Sequence, residues 1–239
     1  MKKTLLFLML AVASASSAFA QARPGGSESS KDYTGGGVTD SRNTGFGFKA
    51  GYNFSALRGD DINFAGTSSK IDFTSRSGYH AGVYGQFGFN EFASVQIEAL
   101  YSSQGFTANT GGTSAAPTAQ TYDMAYLSVP VMFVGNFTET LSFHVGPQVS
   151  LLTNVRRESN SLGISENGFN SLDYGGVVGL EARLGPARVG ARYNGGLGKI
   201  FGDNIPASPT PGSGIRQEFA NSKLYNNVVQ LYVGIGFTQ

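Results

Sequence analysis

The chain has no cysteine and no tryptophan among 239 residues, and only two histidines. Without cysteine there is no disulfide framework, thiol nucleophile, thiolate metal site or lipoprotein anchor. Charge is scarce as well: Asp, Glu, Lys and Arg make up 14% of the chain, against about 25% in ordinary soluble domains. A soluble protein this poor in charge would struggle to cover its surface, whereas a barrel whose outer belt faces lipid would not. Beyond the N-terminus no apolar run reaches the ~20 residues of a spanning helix.

Glycine (34 residues) and aromatics (12%) are abundant. The N-terminus carries Lys2 and Lys3, an apolar stretch from Leu5 to Val12, and Ala18-Phe19-Ala20. That order predicts a secretory signal peptide over residues 1–20, cleaved after Ala20. Its removal would take two lysines and no acid, leaving 15 basic against 16 acidic side chains. That balance gives no reason to expect a nucleic-acid partner. Residues 21–43, with Gly25-Gly26 and Gly35-Gly36-Gly37, lack apolar periodicity and are expected to form a flexible periplasmic segment.

From residue 44 to 239 the pattern changes to alternation of period two. Phe46, Phe48, Ala50, Tyr52 and Phe54 share one parity, and Gly47, Lys49, Gly51 and Asn53 the other. Seven further segments repeat this, from Tyr79–Phe89 through Val95–Tyr101, Leu127–Phe133, Leu141–Leu151, Tyr174–Leu184 and Val189–Leu197 to Val229–Phe237. Lys49, Glu98, Asp173, Glu181, Arg183, Arg188 and Arg192 all fall on the polar parity. Turned to lipid at mid-bilayer, an Arg or Lys would cost about 2–4 kcal/mol, so the greasy parity is the outward one.

Long connections at 57–76, 107–122, 153–170 and 199–223 alternate with tight turns at Asn90-Glu91, Asn136–Glu139 and Gly185-Pro186. Together these features predict an all-β, eight-stranded antiparallel up-and-down transmembrane β-barrel, with short turns and both termini in the periplasm. Aromatics near the segment ends would form the two interfacial girdles. The rival is a soluble lipocalin-like barrel with the greasy parity inward, which would need neither girdles nor alternating loop lengths.

Particular residues add a family likeness. Tyr126-Leu127-Ser128-Val129-Pro130-Val131, Gly146-Pro147, Asp173-Tyr174-Gly175 with Gly179, Ala191–Leu197 and Val228-Val229-Gln230-Leu231 resemble the small PorT-like, or porin-family, outer-membrane barrels of Bacteroidetes. The resemblance implies an integral outer-membrane protein, with a role beside a secretion apparatus among those it allows. Ser128 stands where an acidic residue is common in that family, and Thr238 and Gln239 follow the terminal aromatic Phe237.

Lys49, His80, Glu98, His144, Asp173, Glu181, Arg183, Arg188 and Arg192 are the candidate site: an ionic network filling a lumen just wide enough for side chains. A gated narrow channel is the alternative. Catalysis would have to draw on His80 or His144 with Ser142, Ser150 or Glu98, and no G-x-S-x-G elbow marks them. No cofactor or metal is expected, as two separated histidines lack ligand spacing and Asp60-Asp61 is a weak cation motif. Arg58-Gly59-Asp60 is a chance tripeptide in so glycine-rich a chain. Phe237 is the expected signal for the barrel-assembly machinery. Other expected partners are outer-membrane lipid, lipopolysaccharide (at Arg156-Arg157) and a protein bound by the extracellular loops, the fourth stiffened by Pro206, Pro209 and Pro211. A monomer without enzymatic activity follows from this reading.

Overall fold

Alternating side chains demand strands, and strands with a lipid-facing side must close on themselves so that every backbone group is paired. The computed structural model describes residues 43–59, 72–110, 118–158, 160–164, 168–202 and 223–238. Among these residues the strands are β1 (Gly45–Gly59), β2 (Asp72–Gly88), β3 (Ala93–Thr110), β4 (Thr118–Asn136), β5 (Leu141–Arg157), the short β6 (Asn160–Leu162), β7 (Leu172–Leu184), β8 (Ala187–Lys199) and β9 (Leu224–Thr238). All neighbours are antiparallel. β1 pairs with β9 and β4 with β5, so eight strands close into a barrel, and β6 is a short hairpin addition to β5.

The outward parity is the one expected. Phe48, Tyr52, Val178, Leu231, Val233 and Ile235 are among the exposed apolar residues, while Lys49, Glu98, Glu181, Arg188 and Arg192 are buried inside. This disposes of the lipocalin alternative, which needs the opposite arrangement.

The three tight turns have local causes. Asn90 Oδ1 accepts from the backbone N–H of Phe92 and Ala93. Thr138 Oγ1 accepts from Thr140 and Leu141 N–H. Gly185 supplies a φ of 63° at the first of two turn positions, and Pro186 supplies the fixed negative φ of the second, as a II′ hairpin requires.

Two expectations need correction. The segment 107–122 is not a loop throughout: β3 runs to Thr110 and β4 restarts at Thr118. These strands have 18 and 19 residues, well beyond the ~9–11 that cross a bilayer. Likewise β5 continues to Arg157 and β6 lies inside the expected 153–170 loop. The physical reason is an exchange of faces. Beyond Tyr101 the outward residues of β3 become Ser103, Thr107 and Asn109, while Phe106 and Ala108 turn inward. On β4 Tyr122, Met124 and Tyr126 point in, with Thr121 and Asp123 out. Above the membrane the barrel follows the rule of a soluble protein, apolar inside and polar outside, so its alternation has the opposite sign.

The second correction concerns Asn43, expected within the unstructured segment. It is buried, donates to the carbonyls of Asn90 and Glu91 (both 2.8 Å), and its Oδ1 accepts from Asn136 Nδ2 and Arg183 Nη1 (both 2.9 Å). It ties three strand ends together at the tight-turn rim. The signal segment, Asp60-Asp61 and the prolines of the fourth loop lie outside the described residues.

Candidate functional site

The inward positions of eight tilted strands converge on a narrow lumen, and the residues at mid-height are charged. Lys49 on β1 donates to Glu98 Oε1 on β3 (3.0 Å) and to Glu181 Oε2 on β7 (2.7 Å). Arg192 on β8 donates to Glu98 Oε2 (2.6 Å), and Arg188, a turn-side neighbour on the same strand, to Glu181 Oε1 (2.9 Å). Lys49, both glutamates and Arg192 have side chains no more than 1% exposed, and Arg188 is 6% exposed. Since β1, β3 and β7 lie on different walls, these bonds span the lumen and close it.

Two tyrosines interleave the cations. Lys49 Nζ lies 4.8 Å from the Tyr84 ring centre and 4.6 Å from that of Tyr232, with Arg188 over Tyr84 at 4.7 Å and Arg192 over Tyr232 at 5.2 Å. Desolvated cations gain most from such ring faces. Tyr232 also donates its hydroxyl to Glu181 Oε2 at 3.0 Å. Amides complete the layer: Gln96 donates to Glu98 (2.6 Å), and Gln86 and Gln230 accept from Arg188 (2.9 Å) and Arg192 (2.6 Å). These bonds meet most of the hydrogen-bonding capacity that a buried ion cluster must satisfy, with Arg192 Nη2 and Gln96 Oε1 left without a partner.

Sequence reasoning named the charges but gave Tyr84 and Tyr232 no role. The signal available was a tyrosine on the inward parity opposite glycine: Tyr84 pairs with Gly47, and Tyr232 with Gly51 and Gly190. A Cβ on Gly190 would collide with the Tyr232 ring, so the glycine makes room for it.

The other candidates are placed differently. His144 lies 3.9 Å from Glu181, and Arg183 lies 3.7 Å from it, at the edge of the cluster. His80 joins through a polar chain, its Nδ1–H donating to Asn53 Oδ1 (2.7 Å), which also accepts from Gln230 (2.7 Å). Asp173 stands apart, among Gln148, Asn194 and Asn226 nearer the outer mouth, and makes none of the ion pairs among the described residues. Phe237 faces outward on β9, its ring 5.4 Å from that of Phe46 on the neighbouring strand.

Ser142 and His144 do not form a nucleophile–base relay. Ser142 Oγ donates to the Glu181 carbonyl (3.3 Å), so it can only accept from His144 Nε2 (3.3 Å). The same Nε2 faces the Glu181 carboxylate, whereas a relay needs the carboxylate on the other ring nitrogen. Ser150 is paired with Ser128 at 2.8 Å.

Above the polar layers the lumen ends in an apolar cap. Phe106, Tyr122, Met124, Tyr126, Leu152 and Phe169 are among its fully packed members. Phe106 and Tyr122 stack at 5.1 Å, and Phe169 meets Phe201 at 5.0 Å. An exposed Arg76–Asp123 pair (2.7 Å) marks the outer surface of the same region.

The outer membrane protein beta-barrel domain model matches residues 19–202. The chain belongs to that family. The match covers the barrel from β1 through β8, and β9 completes the closure. Solved structures similar to this outer-membrane barrel include Ail, the attachment invasion locus protein of Yersinia pestis, crystallised with the heparin analogue sucrose octasulfate (17% identity, 82% of this chain and 99% of that one, TM-score 0.42). Neisserial surface protein A is another (11% identity, 80% and 97%, TM-score 0.46), as is OprG from Pseudomonas aeruginosa (13% identity, 84% and 99%, TM-score 0.42). No curated protein matches the chain in sequence.

Proposed function

We propose that this outer-membrane barrel is a closed, non-enzymatic scaffold that acts as a monomer and binds a protein partner through its extracellular end. The observation that carries the reading is the pair of seals in series: the Lys49–Glu98–Glu181–Arg188–Arg192 cluster at mid-lumen and the Phe106–Tyr122–Phe169 cap above it. A solute path would have to break several buried ion pairs and part a packed aromatic core. What is left to work with is the rim, where β3 and β4 extend past the length that crosses a bilayer and form a rigid support. In this reading Phe237 is read by the barrel-assembly machinery and exposed Arg156 meets lipopolysaccharide phosphates. The PorT-like assignment belongs to the same proposal and is supported by the motifs of β4, β5, β7, β8 and β9.

Planar-bilayer recording tests it. Wild-type protein should be electrically silent, and Glu181→Gln should introduce noisy, irregular conductance as the seal hydrates. Stable unitary conductance in the wild type, abolished by Arg192→Ala, would refute the closed scaffold in favour of a gated channel.

A further inference from the structure

Between the ionic layer and the aromatic cap lies a chamber of about 20 Å³, room for a single water-sized body. Its wall includes Tyr126, Gln148, Asp173, Asn194 and Asn226. Four buried oxygens on these residues have no hydrogen-bond partner: Gln148 Oε1, Asp173 Oδ1, Asn194 Oδ1 and Asn226 Oδ1. Asn194 and Asn226 are only 7% and 5% exposed.

The orientations of Asn194 and Asn226 are set by their nitrogens, which meet amide oxygens, while that of Gln148 meets a hydroxyl. Asn194 Nδ2 donates to Gln230 Oε1 (2.9 Å), Gln148 Nε2 donates to Ser150 Oγ (3.1 Å), and Asn226 Nδ2 donates to Gln104 Oε1. Flipping Asn194 or Asn226 would set oxygen against oxygen. Acceptors therefore dominate the chamber: the two held amide oxygens and a carboxylate, with the Gln148 amide able to turn because the Ser150 hydroxyl bonds either end of it, and the hydroxyls of Tyr126 and Ser150 also in the wall. One water brings two hydrogens and leaves one of Asp173 Oδ1, Asn194 Oδ1 and Asn226 Oδ1 unsatisfied, a costly buried orphan. A cation satisfies all of them, and an all-oxygen donor set is what hard cations take.

We propose that this chamber binds a single hard cation of calcium size, held by the Asp173 carboxylate and the amide oxygens of Gln148, Asn194 and Asn226. Glycines 175, 176, 195 and 196 add backbone to the wall, with Gln104, Ser150, Tyr174 and Val228 as its other members. The ion would tie β5, β7, β8 and β9 together at the outer lumen, above the charge cluster, where no Lys or Arg pairs with Asp173.

Terbium, which shares calcium's size and oxygen preference, is the probe. The chain has no tryptophan, so tyrosine excitation sensitises the ion, and buried Tyr126 lines the chamber. Chelator-stripped protein, folded in detergent and exchanged into a choline buffer, should give saturable terbium luminescence. Calcium should displace it at low concentration and sodium only at high concentration. Asp173→Asn, which retains an acceptor in the same place, should abolish the signal, and Gln148→Glu, whose second oxygen can accept from the Ser150 hydroxyl, should tighten binding about tenfold by adding a second carboxylate. Calcium near saturation should raise the unfolding midpoint of the wild type by about 5 °C or more, and leave Asp173→Asn unmoved. Absent luminescence, or luminescence equal in Asp173→Asn that still folds by gel mobility, would overturn the site and leave a protonated Asp173 beside one water. Displacement by sodium and calcium at equal concentration would overturn the calcium-size assignment.

Discussion

Glu181→Gln is the substitution that most directly probes the lumen. The Glu181 carboxylate is fully buried and accepts from Lys49 at 2.7 Å, Arg188 at 2.9 Å and the Tyr232 hydroxyl at 3.0 Å. At an effective dielectric of about 20, each of the two ionic contacts is worth about 6 kcal/mol of gross attraction. The desolvation cost of the carboxylate, relieved when the charge is removed, offsets a large part of this. The net loss expected for stranding buried partners is about 3–5 kcal/mol. For a chain of this size that lowers the thermal midpoint by roughly 6–20 °C. In the wild type the cluster holds Lys49, Arg188 and Arg192 against Glu98 and Glu181; the variant leaves three cations facing one carboxylate. Removing one cation as well should therefore restore balance, so Lys49→Met combined with Glu181→Gln should cost at least about 1 kcal/mol less than the two single changes summed. Urea unfolding in detergent micelles, followed by the mobility difference between folded and unfolded barrel on unheated gels, measures all four proteins. A single-variant loss under about 1 kcal/mol, or strict additivity in the cycle, would refute the coupled cluster.

Four further expectations follow from other parts of the structure. Gly190→Ala places a Cβ against the Tyr232 ring and should cost about 1–3 kcal/mol, measured by the same unfolding assay. Phe106→Ala empties part of the outer cap and should cost about 3–5 kcal/mol, with protease sensitivity rising first in the β3–β4 hairpin. Val233→Arg puts a charge on an exposed position at mid-strand, paired with Ala50 and Val189, and should cost about 2–4 kcal/mol in lipid vesicles, while arginine at exposed Thr74 near the outer edge should be tolerated. Phe237→Ala should slow assembly into the outer membrane in cells more than it lowers the stability of refolded protein, as compared by pulse-labelling and unfolding.

The barrel and its inside–outside sense were legible because lipid enforces a simple rule. Every lipid-facing residue must be apolar, so Phe46, Phe48, Val131, Leu231 and Val233 mark one parity and the charges the other. The extension of β3 and β4 was not legible, because above the membrane water replaces lipid and reverses that rule. Tyr122, Met124 and Tyr126 then run on the parity opposite to Leu127 and Val129, and the two patterns together look like irregular loop. Asn43 was hidden for a different reason: its role depends on Asn90, Asn136 and Arg183, three turns that meet only on closure.

The same division holds for the candidate site. Sequence by itself determined that Lys49, Glu98, Glu181, Arg188 and Arg192 point into the lumen, since each is placed by its parity on a single strand. Which of them meet was decided by the closure of β1 on β9 and β4 on β5, which sets the heights at which walls from distant parts of the chain face one another. That geometry joins Glu181 to Lys49 across 132 residues and puts Asp173, eight residues earlier on the same strand, in another layer with amide neighbours and, among the described residues, no Lys or Arg partner. Period-two alternation is a local property that a strand carries with it, whereas an ion pair depends on strand stagger, and stagger exists only in the closed barrel.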